Sequence, residues 1–302
     1  MRISAIDIGT NTVLLLVADV YGKSLRPIEH GHAIARLGWG VDEQRNISQE
    51  AMDRVGKVLE EYGAISKTQK AERIVACGTS ALRDAHNRDA FLEFVRTRFG
   101  IDVKILSGKE EARLTYIGAL SEFPQATNQH YVVIDIGGGS SEVIAGTESD
   151  VNTSVSLDIG CVRLTERFLK NSPPVPHALE ECMAMIRDQS ISLPAIDSTA
   201  RLIGVAGTVT TLAALDLNLT QYDPLRVSGH VLSLKTIRHI FDQLRDKSLD
   251  ELKAVPQIHA GRADIILAGV IILIELMKRM GRDEITVSDR GLRYGFALRE
   301  AE

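Results

Sequence analysis

Two hydrophobic rhythms alternate along this chain: short continuous apolar runs, and longer stretches with an apolar residue at every third or fourth place. Ile3 to Ile8 is a strand-like run closed by Gly9-Thr10-Asn11-Thr12, and Val13 to Val20 follows at once, so the pair predicts a hairpin. Between residues 49 and 62, Met52, Val55, Val58 and Leu59 share one face and predict a helix. Ile74 to Cys77 predicts a short buried strand, after which Gly78-Thr79-Ser80 leads into a helix near Ala81. Val103 to Leu106 predicts another strand, and Ser107 and Glu110 then stand at the spacing of a capping box. Strands that alternate with helices in this way predict an α/β architecture.

The opening pattern returns later. Ile6-Asp7-Ile8-Gly9 recurs as Ile134-Asp135-Ile136-Gly137, which continues into Gly138-Gly139-Ser140-Ser141-Glu142-Val143. Similarity over so long an interval predicts a duplicated domain, since a solenoid would repeat every 20–50 residues or so. The polar stretch from Phe123 to His130 is the predicted boundary and hinge, giving domains 1–125 and 126–302, with the closing helix (about 288–302) available to complete the first. Pro173, Pro174 and Pro176 mark a loop ahead of a helical region. Leu202 to Thr210 predicts a third strand-to-glycine-turn unit, and Ile285 to Gly291 a last one before a short terminal helix. The most apolar stretch, Ile265 to Ile274, is about half the ~20 residues needed to cross a bilayer, so it predicts a buried core helix.

Composition narrows the partners. A chain of 302 residues should form about two domains. Its 35 Lys and Arg against 40 Asp and Glu give a net charge of −5, and only 5% of residues are aromatic, which argues against a general nucleic-acid binder. Any polyanionic ligand would need positive charge concentrated in one cleft. The three cysteines, Cys77, Cys161 and Cys182, lie far apart with no CxxC pair, as suits a reducing compartment. Asp7 interrupts the first apolar run, unlike a secretory signal, so the expectation is a cytoplasmic protein with no membrane partner.

The glycine turns carry the candidate chemistry. A strand that ends in Asp, Gly and hydroxyl residues offers converging backbone N–H groups to an anion, and glycine permits its close approach. The adjacent Asp repels phosphate and is suited to holding Mg²⁺, or a metal-bound water, beside it. Two such turns, facing each other across a cleft, would clamp one phosphate chain. Other nucleotide motifs fail: a Rossmann fingerprint needs glycine where Glu142 stands, and no GxxxxGK[ST] occurs.

These residues resemble the exopolyphosphatase/guanosine pentaphosphate phosphohydrolase family, within the actin, sugar-kinase and heat-shock ATPase superfamily. The likeness runs through AIDIGTNT from Ala5, GTSALRDAHN from Gly78, SGKEEARLTYIGAL from Ser107 and VIDIGGGSSEVI from Val133. It continues through VRLTERF from Val162, GVAGTVTTLAAL from Gly204, GRAD from Gly261 and TVSDRGLRYG from Thr286. Thr12 replaces the commoner Ser, and Ser141 the commoner Thr, each keeping a hydroxyl. The resemblance implies an α/β fold of two ribonuclease H-like domains. It also implies the short form, without the C-terminal His-Asp helical domain of longer relatives. The implied reaction is hydrolysis of the terminal phosphoanhydride of inorganic polyphosphate, releasing orthophosphate. The alternative is removal of the 5′ terminal phosphate of guanosine pentaphosphate, or both activities. A polyphosphate/ADP phosphotransferase and a non-catalytic nucleotide sensor are the remaining readings, and self-association into a homodimer is left open.

Roles follow for individual residues. Glu110 and Glu111 point about 100° apart on a helix, and by spacing alone either is a candidate base; the resemblance assigns the role to Glu111. Asp7, Asp135 and Glu142 are the expected Mg²⁺ (or Mn²⁺) ligands, directly or through water, with Asp135 and Glu142 preferred and Asp7 alternatively positioning water. Gly9, Thr10, Asn11 and Thr12 in one turn, and Gly137, Gly138, Gly139, Ser140 and Ser141 in the other, are expected to bind phosphate. Arg83, at a helix start, is the expected cationic phosphate ligand, with Asn87 one turn later as a hydrogen-bonding partner. Gly207 and Thr208 resemble the superfamily turn that meets the sugar or base side of a nucleotide, and in a polyphosphatase are expected instead to contact later phosphates. Arg163, Arg262, Arg290 and Arg293 either line the path of the polyanion or make structural ion pairs. His30 and His32, neighbours on a strand, are read as non-metal.

Overall fold

The computed structural model describes residues 1–123, 129–148 and 150–301. The elements begin β1 (Arg2–Ile8), β2 (Thr12–Tyr21), β3 (Ser24–Ile34), α1 (Val41–Gln44), α2 (Gln49–Thr68), β4 (Arg73–Gly78), α3 (Ser80–Asp84), α4 (Arg88–Phe99), β5 (Val103–Ile105) and α5 (Gly108–Leu120). They continue β6 (His130–Ile136), β7 (Ser141–Thr147), β8 (Val151–Leu157), α6 (Cys161–Arg167), α7 (Pro176–Gln189), β9 (Arg201–Val205), α8 (Ala206–Asp216), α9 (Pro224–Val227), β10 (Val231–Ser233), α10 (Leu234–Leu244), α11 (Leu249–Lys253), α12 (Ile266–Arg279), β11 (Glu284–Val287) and α13 (Leu292–Glu300). Residues Met1–Phe123 and Arg290–Glu302 form one compact unit, and Pro124–Asp289 the other. Of the predicted boundary and hinge at 123–130, positions 124–128 lie outside the described residues.

The first unit is built on a five-stranded sheet of order β3-β2-β1-β4-β5. β1 pairs antiparallel with β2 and parallel with β4, so the predicted hairpin is the start of a ribonuclease H-like sheet. Alternation along β1 divides the core between the two sheet faces. Ile6 and Ile8 pack with Val55 and Leu59 of α2 and Phe91 of α4. Ile3 and Ala5 face the other way, packing with Leu114 of α5 and with Leu292 and Phe296 of α13. By the same alternation Asp7 belongs to this second face, at its strand's C-terminal end.

The second unit repeats the plan in a six-stranded sheet of order β10-β11-β9-β6-β7-β8. Its antiparallel β6–β7–β8 ribbon followed by parallel β9 and β11 matches the first sheet strand for strand, and β10 is an added antiparallel edge. Residues Ile266 to Met277 of α12 are all buried. No helix among the described residues is long and apolar enough to cross a membrane. One expectation needs correction: Leu202 to Thr210 holds no separate glycine turn. β9 ends at Val205 and α8 starts at Ala206, with Gly207 inside its first turn.

Candidate functional site

In each unit the candidate residues gather at the C-terminal ends of parallel strands, where open α/β sheets bind ligands. In the first unit, the turn Gly9–Thr12 is closed by the Gly9 N–H donating to the Thr12 carbonyl at 2.9 Å. The second turn has the same bond, Gly137 N–H to the Ser140 carbonyl at 3.0 Å. Thus the repeat read in the sequence is a repeat of backbone geometry. Carbonyls in both turns face inward. Asn11 accepts from the N–H groups of Ala35 and Arg36, and Thr10 from that of Gly38. Gly137 accepts from Cys161, and Gly138 from Val162 and Arg163. The N–H groups of Thr10, Asn11, Gly138 and Gly139 have no acceptor among the described residues, and the buried Asn11 Oδ1 likewise lacks a partner. A loop with engaged carbonyls and unengaged amides is suited to an anion.

α5 supplies the acid of the first unit. Ser107 and Glu110 form the predicted capping box, Ser107 Oγ accepting from Glu110 N–H and Glu110 Oε2 from Ser107 N–H. Its cap occupies Glu110, and this fixes Glu111 on the inward face, where it is 8% exposed. Arg83 Nη1 donates to Glu111 Oε2 at 2.5 Å and to the Leu106 carbonyl at 2.9 Å. Burial pushes the Glu111 carboxyl above its ordinary value, while the Arg83 guanidinium pulls it back. Asp7 sits opposite Cys77 in the β1–β4 register. The Cys77 thiol is held well above its usual range by burial first, then by the Asp7 and Glu111 carboxylates. Asp7, Glu111 and Arg83 therefore share one neighbourhood.

The second unit holds a pair of carboxylates. Asp135 and Glu142 are direct cross-strand partners, so both project from one face of the sheet, where such side chains lie about 4.5–5.5 Å apart at Cβ. They are 9% and 1% exposed, and Ser156, next in the row, donates its hydroxyl to Glu142 Oε1 at 2.7 Å. Like charges placed opposite each other repel, and a hard divalent cation relieves that repulsion. This donor set fits Mg²⁺, which takes one or two carboxylates and keeps several waters. Asp7 has Leu14 in the corresponding position, so the second unit alone has the acidic pair. Among the described residues, no three His, Cys, Asp or Glu side chains form a metal-binding group.

Several expected ligands have other tasks. Asn87 does not point a free amide at a ligand: its Oδ1 accepts from Ile47 N–H and its Nδ2 donates to the Ile47 carbonyl, both at 2.8 Å. Ser141 is fully buried and its hydroxyl donates to the Ile159 carbonyl, so this hydroxyl ties the turn to the chain before α6. Arg163 is buried and donates from Nε to the Gly139 carbonyl, bracing the turn from behind. Arg290 donates to the Ser121 carbonyl at 3.0 Å, and the Arg290 and Arg293 guanidinium groups both lie near the Tyr294 ring. At the start of α8, Gly207 lies directly under the Arg262 guanidinium: a Cβ there would come 1.6 Å from Arg262 Nη1 and displace that side chain. Thr208 is buried against Gly269 in the same way. Because Val205 pairs with Asp135, this helix start adjoins the acidic pair.

Gly38 escaped the sequence reading. A Cβ there would meet Thr10 Cγ2 at 2.4 Å and Ala81 Cβ at 2.9 Å, so Gly38 seats the first turn against α3, the helix of Arg83. Only its place in a Gly-Trp-Gly string could have flagged it.

The chain is similar over nearly its whole length to known proteins. The profile of the Ppx/GppA phosphatase family matches residues 16–302. The chain is 34% identical over 313 residues to exopolyphosphatase 2 of Mycobacterium tuberculosis, covering 98% of each protein. It superposes with a TM-score of 0.83 on the Aquifex aeolicus member of the Ppx/GppA family, at 33% identity and covering 100% of this chain and 97% of that one. An exopolyphosphatase from Cytophaga hutchinsonii gives a TM-score of 0.90 at 27% identity, covering 98% and 96%.

Proposed function

Because this chain belongs to the Ppx/GppA phosphatase family, we propose that it is an exopolyphosphatase, hydrolysing the terminal phosphoanhydride of inorganic polyphosphate and releasing orthophosphate. The observation that carries the reading is the buried Glu111 carboxylate held by Arg83 at 2.5 Å. Phosphoanhydride hydrolysis needs a positioned water, a group to take its proton, and positive charge or N–H groups on the non-bridging oxygens. Glu111 is suited to accept the proton of the attacking water. Arg83 opposes the rise that burial imposes on that carboxylate and engages its Oε2. The amides of Thr10 and Asn11 are placed to receive phosphate oxygens, as are those of Gly138 and Gly139 in the second unit.

Asp135 and Glu142 would hold the divalent cation, which neutralises charge on phosphate oxygens when bound. Asp7 is better suited to orient water. Asn87 and the Ser141 hydroxyl are left out of the phosphate site, since both are engaged elsewhere. The cytoplasm, where polyphosphate and nucleotides are met in a reducing environment, is the proposed compartment. Guanosine pentaphosphate is the alternative substrate at the same groups.

Orthophosphate release from tripolyphosphate, long-chain polyphosphate and guanosine pentaphosphate, at equal enzyme and with Mg²⁺, tests this reading. Higher kcat/KM on either polyphosphate supports it. Absence of release from both, or full activity in Glu111→Gln, sinks it.

A further inference from the structure

We propose that Ser156 is a positioning residue for the divalent cation: its hydroxyl limits Glu142 to one coordinating oxygen and so favours Mg²⁺ over Ca²⁺. This inference rests on the reading of Asp135 and Glu142 as the cation's ligands, and adds to it the means by which the cation is selected.

Asp135, Glu142 and Ser156 form one row across β6, β7 and β8, each directly opposite the next. Cross-strand partners project from the same face, so the two acids and the hydroxyl lie on one side of the sheet in that order. The first unit repeats the strands without the chemistry: its corresponding row is Asp7, Leu14 and His32. The middle acid and the hydroxyl beside it are thus present together in one unit and absent together from that row of the other.

Ser156 donates its hydroxyl to Glu142 Oε1 at 2.7 Å, the length of a charge-assisted bond to a carboxylate. Glu142 is 1% exposed, whereas Ser156 is an exposed residue of the edge strand β8. The terminal torsion of a glutamate is soft, and here its partner is mounted on the backbone of a neighbouring strand. Water at the sheet edge would satisfy the same oxygen without fixing the plane of the carboxylate.

With Oε1 engaged, Glu142 offers a cation at most one oxygen. That restriction discriminates between hard cations. Mg²⁺ is small, demands an octahedron at short distances and keeps several waters, so single oxygens from one or two carboxylates suit it. Ca²⁺ is larger, takes more oxygens in a looser shell and accepts both oxygens of one carboxylate. Partners that hydrogen-bond a coordinating side chain typically set metal affinity by about tenfold to a hundredfold.

Mn²⁺ bound to substrate-free protein, followed by paramagnetic resonance and displaced by Mg²⁺ or by Ca²⁺, reads affinity and selectivity without turnover. Ser156→Ala is expected to weaken Mg²⁺ about tenfold or more and Ca²⁺ less, lowering the ratio of the two affinities about fivefold. Ser156→Thr keeps the hydroxyl and should restore the ratio to within about twofold. A hydroxyl that served stability alone would lower the melting temperature and leave the ratio unmoved. An unmoved ratio in Ser156→Ala, where Glu142→Gln does weaken the cation, overturns the role of Ser156 and leaves the metal reading standing. No Mn²⁺ binding to wild-type protein, or binding unaltered by both Asp135→Asn and Glu142→Gln, removes the metal reading and this inference with it. If selectivity follows Ser156 while wild-type protein releases no orthophosphate from either polyphosphate, the positioning role stands and the polyphosphatase reading falls.

Discussion

The half-buried Arg83 and the buried Glu111 are joined at 2.5 Å, although they come from different helices and α4 and β5 intervene in the chain. Desolvation raises the Glu111 carboxyl and the guanidinium opposes that rise. A base must be ionised to act, so activity falls as pH drops through its pKa. Removing the cation raises that pKa further. Arg83→Ala should therefore move the acidic limb of the kcat/KM profile to higher pH, whereas Glu111→Gln should lower kcat by about 10²–10⁴-fold with little change in KM. An unmoved acidic limb in Arg83→Ala would separate the two residues functionally.

The helix that carries Glu111 is seated against the end of the chain. A Cβ on Gly295 of α13 would lie 1.9 Å from the Leu114 carbonyl, and one on Gly118 would lie 2.2 Å from the Gly291 carbonyl. Glu111, Thr115 and Gly118 follow helical spacing, so the catalytic candidate and the contact lie on one face of α5. Gly295→Ala must push backbone against backbone, at a cost of at least about 1–3 kcal/mol. The expected outcome is a lower melting temperature together with a kcat loss exceeding that of Gly63→Ala, where a Cβ meets nothing within 4 Å.

Asp135 and Glu142 oppose each other across two strands of the second unit. Asp135→Asn and Glu142→Gln are each expected to raise the Mg²⁺ concentration needed for half-maximal phosphate release by tenfold or more, with Asp7→Asn having the smaller effect on that concentration. Metal titrations of the three variants check the order. An equal shift in all three would remove the distinction between the units.

Asp19 ties β2 to the start of the chain, accepting from Arg2 at 2.8 and 3.1 Å and from Arg26 at 3.0 Å. These bonds hold its carboxyl down at about 2, led by Arg2 and then Arg26. A depressed carboxylate stabilises the fold above its unfolded pKa, near 3.9, and loses that contribution as pH falls through the folded value. Asp19→Asn should melt below wild type at pH 7, and the gap should close between about pH 4 and about pH 2. A gap that stays constant with pH would show that the ion pairs are not its cause.

Local features were legible in the sequence because their partners lie a few residues apart. The first hairpin, the start of α5 at Ser107 and the burial of α12 follow from spacing, capping chemistry and apolar runs. The recurrence of Ile-Asp-Ile-Gly forecast two turns, each closed by its own hydrogen bond of the same kind. Long-range tasks were not legible. Asn87 looked like a ligand because it lies one turn past Arg83, yet Ile47, forty residues away, engages both ends of its amide. Ser141 kept a hydroxyl where phosphate chemistry wants one, but Ile159 takes it.

By itself, then, the sequence determined the α/β alternation, the duplicated turns and the residue types available for phosphate chemistry, because each depends on backbone propensity and short spacing. The tertiary structure alone decided which acid is buried beside a cation, which carboxylates stand opposite one another, and that the last helix is packed on the helix of Glu111. Those outcomes depend on which distant surfaces exclude water together, and a local pattern carries no record of its distant partner.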